Sequence, residues 1–237
     1  MTVHISVLLK ESIEGLNLAS GKIFLDGTLG GGGHSREVLR HFDPPVRVIG
    51  LDKDPLVIER ISLEIPEIET FNESFANLDR ALKHFRIEKV DAILLDLGFS
   101  SDQLAEAGRG FSFQRDEPLD MRLSRNGFTA AQILNSWDES AIELILKGFG
   151  EERYARRIAN EIAKRRISNP FQTTFDLVDA VEKAVPWTYR LGKIHPATRT
   201  FQALRIAVNG ELEALEEGLE KGFEALNSKG RFAVISF

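Results

Sequence analysis

The segment FLDGTLGGGGHS at 24–35 constrains this chain more than any other. A short apolar run ends on Asp26. Four consecutive glycines follow at 30–33, and a helical pattern begins near Ser35. Glycine permits positive φ and removes the Cβ atoms that would block a ligand. Backbone N–H groups at the start of a helix then point toward an anionic group. An ordinary strand-to-helix turn does not need four glycines, because each adds to the entropy lost on folding. The segment therefore reads as a ligand loop. The dinucleotide fingerprint GxGxxG is met at Gly30 and Gly32 but not at Ser35. Asp26, Thr28, Gly30 and Gly32 fit a methyltransferase pattern more closely, with an acid followed by small residues at every second position.

The surrounding pattern sets the fold. KIFLDG (22–27), VRVIGLD (46–52) and VDAILLDLG (90–98) are β-branched or apolar runs closed by turn residues. The last reads as a strand buried on both faces. SREVLRHF (35–42), PLVIERISLEI (55–65) and ANLDRALKHF (76–85) carry helical spacing between them. This alternation predicts an α/β fold, a Rossmann-like parallel sheet with helices on both faces. Ligands bind such sheets outside the carboxyl ends of the strands. From 102 to 197 strand signals thin and helices dominate, which predicts an inserted helical domain. The α/β pattern then resumes, so the expected domains are 1–101 with 198–237, and 102–197. In ELEALEEGLEKGFEALN (211–227), Leu212, Leu215, Leu219, Phe223 and Leu226 share one face, the expected sheet-facing side. SKG makes a turn and RFAVISF a last strand.

Composition narrows the function. The 237 residues include no Cys, so disulfides, thiolate nucleophiles and Cys-built metal sites are excluded, and no metal is expected. No apolar run is long enough for an ordinary transmembrane helix, and the first residues lack the marks of a signal peptide. A cytoplasmic enzyme with no membrane partner is the expectation. The net charge of −6 is unevenly spread. Residues 105–205 hold 16 Lys and Arg against 13 Asp and Glu, whereas the remainder holds 14 against 23. Within the positive part, 186–206 has four Lys or Arg and no acid. Such asymmetry fits a region that meets a polyanion, and also fits a solvated basic helix face. Arg153, Arg156, Arg157, Lys164, Arg165 and Arg166 on one helical region, with Lys193, His195 and Arg199, are the candidate phosphate contacts. Of these, Arg156, Arg157 and Arg199 are the first choices.

Several acids and one aromatic fall at strand ends. Asp52 closes the second strand, where a carboxylate accepts both hydroxyls of an adenosine ribose, in NAD and in S-adenosylmethionine alike. Its plainer role is to cap the following helix. Phe75 in NESF is placed to lie against an adenine face or to pack in the core. Asp96 ends the most buried strand, a costly place for an unpartnered charge. Gln103 follows closely with a side-chain amide.

DGTLGGGGHS, GLDKDP, NESF, LLDLGFSSDQL, RGFSFQRDEPLDMRL and HPATRTFQALRIAVNGEL run along nearly the whole chain. In this order they resemble the bacterial RsmH (MraW) methyltransferases. The resemblance implies transfer of a methyl group from S-adenosylmethionine to the exocyclic N4 of one cytidine. That cytidine lies in small-subunit ribosomal RNA at the decoding centre, within the assembled or assembling subunit. It implies cofactor contacts at Gly32, Gly33, His34, Asp52, Phe75, Asp96 and Gln103. It also implies a helix and two strands beyond RFAVISF, so that run is expected to be an edge strand in a shortened chain. Asp96 is the candidate catalytic residue, as an acceptor from the cytosine amino group, and Phe99 a candidate for stacking on the base. RGFSFQRDEPLDMR either shapes the RNA-facing side of the pocket or pins the insertion. Two other classes stand beside this reading. One is a nicotinamide-dependent oxidoreductase, disfavoured by the absent third glycine. The other is a non-catalytic RNA-binding module, disfavoured by the intact cofactor residues.

Overall fold

The computed structural model describes residues 6–98, 108–124 and 126–236. The chain forms two compact units, Met1–Asp102 with Leu212–Phe237, and Gln103–Glu211. Phe99 and Gln103 lie outside the described residues.

The first unit runs α1 (Leu9–Leu16), β1 (Ile23–Asp26), α2 (Gly33–His41), β2 (Arg47–Asp52), α3 (Pro55–Glu64) and β3 (Ile68–Asn72). A single 3-10 turn (Phe75–Asn77) then leads into α4 (Leu78–His84) and β4 (Val90–Asp96). The strands form one sheet in the order β3-β2-β1-β4-β5, with β5 at Leu226–Ile235. Every pairing is parallel. Alternating side chains divide between two cores, as the pleat requires. Phe24, Val48 and Leu94 pack on one side with Val38, Val57 and Ile61 of α2 and α3. Leu25, Ile49 and Ile93 pack on the other with Leu78 and Ala81 of α4 and Ala225. Strands covered on both faces have no solvent side, which explains their nearly unbroken apolar sequence.

The helix preceding β5 corrects one expectation. The leucine stripe is not its most buried face: Leu212 and Phe223 are exposed. Ala214, Gly218, Gly222 and Ala225, one position round the helix, are buried instead. Aromatic rings decide this. A Cβ on Gly218 would lie 3.0 Å from Cε2 of Phe75, and one on Gly222 would lie 2.9 Å from Cζ of Phe232. Only a glycine surface admits rings that close. The SKG turn survives as a break in the β4–β5 ladder. Val90 pairs with Leu226 but Ala92 with Arg231, and Lys229 in the gap has φ +69°.

In the second unit, α5 (Ala130–Ser136), α6 (Glu139–Gly150), α7 (Ala155–Ser168), α8 (Thr174–Ala184), α9 (Trp187–Arg190) and α10 (Thr198–Asn209) surround their own core. The helix α11 (Glu211–Ala225) follows α10 in the chain. Residues 109–123 form no helix or regular strand, yet they are held firmly. Arg109 donates to the carbonyls of Arg122 and Leu123, and Asn209 bridges the Met121 carbonyl and the Leu123 N–H. Met121 is fully buried at φ +64°, a conformation that a non-glycine residue holds only when its surroundings impose it. Within this unit, the RGFSFQRDEPLDMR segment is an anchored part of the core.

Candidate functional site

The carboxyl edge of the sheet gathers the acids that end its strands. Asp26 is paired in register with Gly50 and Leu94, Asp52 with Asn72, and Asp96 with Ile235. The glycine loop spans this edge. Its N–H groups are tied to both neighbouring strands, Gly27 to the Leu94 carbonyl and Leu29 to the Leu51 carbonyl. Gly30 and Gly32 take φ +48° and +71°, the left-handed region that explains a glycine at each. Gly32 is the N-cap of α2 and, having no side chain, gives that helix no side-chain cap.

Asp52 does not cap the helix that follows. Asp54 does, accepting from the Leu56 N–H at 3.1 Å. Asp52 Oδ2 instead accepts from the Gly30 N–H at 3.0 Å, and Oδ1 from the Asp54 N–H at 2.9 Å. One lone pair on each oxygen remains for a pair of hydroxyls. Burial raises the Asp52 carboxyl to about 6, and the two backbone N–H groups only partly offset it. Asp26 is buried and also raised, mainly by desolvation, with a hydrogen bond from Ser35 Oγ at 2.7 Å pulling the other way.

Three contacts at this edge were not singled out from the sequence. Thr28 Oγ1 accepts from the Asp96 N–H at 2.6 Å and ties loop to strand. Asn72 Nδ2 donates to the Asp52 carbonyl at 2.9 Å. Arg60 Nη2 donates to the Gly30 carbonyl at 3.3 Å, so the Gly30 peptide is held at its N–H by Asp52 and at its carbonyl by Arg60. Thr28 carried a signal as a small residue of the loop pattern; Arg60, in the middle of a helix, carried none.

His34 is buried and its Nε2 is 3.1 Å from the Val7 carbonyl, an anchor for the segment entering α1. Gly33 leaves no room for a Cβ beside Ser6. Phe75 is half-buried against Gly27 and Gly218. The residues thus fit an adenosyl ligand: paired acceptors at Asp52 and, beside them, a run of four glycines that a ligand can approach closely.

The basic residues separate into two groups. Arg165 is spent on Asp176 and Asp179, and Arg166 on the carbonyls of Leu134 and Trp137. Arg156 lines a shallow cavity with Glu139, Ser140 and Glu143. Arg153 and Arg157 remain exposed beside Tyr154, at 4.7 and 5.8 Å from its ring. Arg199 donates to the Glu151 carbonyl at 3.2 Å. His195 stacks on Phe113 with ring centroids 4.6 Å apart.

The strand order, the acid-ended strands and the glycine loop define a Rossmann-like methyltransferase, with S-adenosylmethionine as methyl donor. A profile of the MraW methylase family matches residues 1–237, and the chain belongs to that family. Curated relatives named ribosomal RNA small subunit methyltransferase H include proteins of Clostridium botulinum (43% identical), Synechococcus elongatus (48%) and Trichlorobacter lovleyi (46%). Each alignment covers 99% of this chain and 77%, 78% and 76% of the respective relative. A solved rRNA methylase from Streptococcus thermophilus aligns at 20% identity over 41% of this chain and 58% of that one. Its TM-score is 0.31. No helix among the described residues is long and apolar enough to cross a membrane.

Proposed function

We propose that this chain methylates small-subunit ribosomal RNA, at the exocyclic N4 of a decoding-centre cytidine, within the assembled or assembling subunit. Family membership and the names of the relatives support RNA methylation. The observation that carries the site is the two-ended hold on Gly30, which fixes the loop against Asp52. Gly32, Gly33, His34, Asp52, Phe75, Asp96 and Gln103 are assigned to the cofactor. The first unit is the cofactor-binding domain, and the second recognises RNA through Arg156, Arg157 and Arg199.

When bound, S-adenosylmethionine supplies a methyl group already activated on a sulfonium cation. The protein's task is then position and electrostatics. A cytosine amino group is a poor nucleophile because its lone pair is delocalised into the ring. Asp96, at the end of β4, accepts a hydrogen bond from that amino group and localises the lone pair. Thr28 fixes the backbone of Asp96. The target base leaves its stack to reach the site.

A tritium-methyl transfer assay on small subunits and on naked ribosomal RNA, followed by mapping of the modified atom, tests this reading. Label at N4 of one cytidine is expected. Label on another atom, or none on either substrate, overturns it.

A further inference from the structure

The second unit carries exposed aromatic surface that its own packing leaves unused. None of the four residues of α9 is buried. Trp187 is 67% exposed, Leu191 68% and Ile194 52%, so three large apolar side chains stand in water within eight residues. Their neighbours are anchored. Tyr189 donates to the buried Glu152 at 2.8 Å and meets Tyr154 edge-on at 4.9 Å. Arg190 donates to the Glu182 carbonyl. The helix is thus held by Tyr189 and Arg190, and Trp187 contributes little to holding it.

Cations surround this anchorage. The Arg153 guanidinium lies 4.7 Å from the Tyr154 ring and 5.7 Å from the Tyr189 ring. Arg157 lies 5.8 Å from the Tyr154 ring, and Lys193 is exposed in a stretch without acids. Two nearby carboxylates are engaged, Glu152 with Tyr189 and Asp179 with Arg165 and Lys183; Glu182 lies 3.8 Å from His195, and Glu151, two residues before Arg153, is exposed. An exposed indole two residues from Tyr189, whose ring lies beside Arg153, suits a strand of unpaired bases with phosphates between them.

We propose that Trp187 stacks on a base of single-stranded RNA, while Arg153, Arg157 and Lys193 take the flanking phosphates. This rests on RNA being the substrate, and it adds a residue that reads the strand by stacking. The chain has two tryptophans, so Trp137→Phe leaves Trp187 as the only indole. In that variant, titration with oligocytidylate at low salt should quench the emission. Trp187→Ala should weaken oligocytidylate binding about tenfold by anisotropy, and Trp187→Phe should restore most of it. No quenching, with affinity unchanged in Trp187→Ala, overturns the proposal. So does an emission that responds to intact subunits but not to oligocytidylate, which would mark a protein-docking face. Neither readout uses methyl transfer. A chain that binds RNA through Trp187 and methylates nothing overturns the proposed activity and leaves the stacking role standing.

Discussion

At the scale of single residues, Asp52 shows how a site is set against stability. A carboxyl raised to about 6 by burial binds its proton more tightly in the folded chain than in the unfolded one. Its contribution to stability is therefore most favourable below about pH 4 and is lost as pH rises through about 6. Asp52→Asn removes that cost but leaves one acceptor oxygen for the Gly30 and Asp54 N–H groups, so what the ligand-free variant should lose is the fall in stability that the carboxyl gives the parent between about pH 4 and pH 6. Urea denaturation at pH 4, 5 and 7 measures this. A variant whose stability follows the parent's pH dependence rules it out. Function moves the opposite way. Cofactor affinity should fall as pH drops through about 6, because a protonated carboxyl no longer accepts from two hydroxyls. Calorimetric titration between pH 5 and 8 should show that slope in the parent and a weak, flat profile in Asp52→Asn.

At the scale of elements, two side-chain roles depend on which helix meets which. Gly218 of α11 gives Phe75 its place. Gly218→Val should displace that ring, lower stability by about 1–3 kcal/mol and raise the KM for S-adenosylmethionine. Arg166 was grouped by sequence with the RNA-facing cations, yet its guanidinium closes the carbonyl end of α5. Arg166→Ala should cost about 2 kcal/mol of stability and leave RNA affinity unchanged, as melting and filter binding together would show. A loss of RNA affinity at full stability would return Arg166 to the RNA surface. The helices at 35–42, 55–65, 76–85 and 211–227 were legible from periodicity, and α2, α3, α4 and α11 end within a few residues of those bounds, whereas α1 and α10 were not read as helices. The buried face of α11 was not. Its leucines mark the more hydrophobic side, but the rings of Phe75 and Phe232 come from distant parts of the chain and select glycine.

At the scale of the whole molecule, ligand linkage separates the classes that a glycine loop leaves open. S-adenosylhomocysteine at a hundred times its Kd should stabilise the chain by about 2.7 kcal/mol, and NAD should not. A thermal shift with NAD alone would reverse the assignment. Local sequence determined the sheet order's ingredients: apolar strands ending on acids, a loop that only glycine can form, and a helical insertion. These are short-range properties, because backbone sterics and side-chain periodicity act within a few residues. The family motifs lay along the same local blocks. What each charge does was decided by tertiary structure alone. Asp52 is free of capping because Asp54 caps α3 and the Gly30 N–H reaches across 22 residues to it. Arg165 and Arg166 are spent inside the second unit, whereas Arg153 and Arg157 stay exposed. A charge acquires its role from its partner, and the partner is set by packing between segments that no local pattern links.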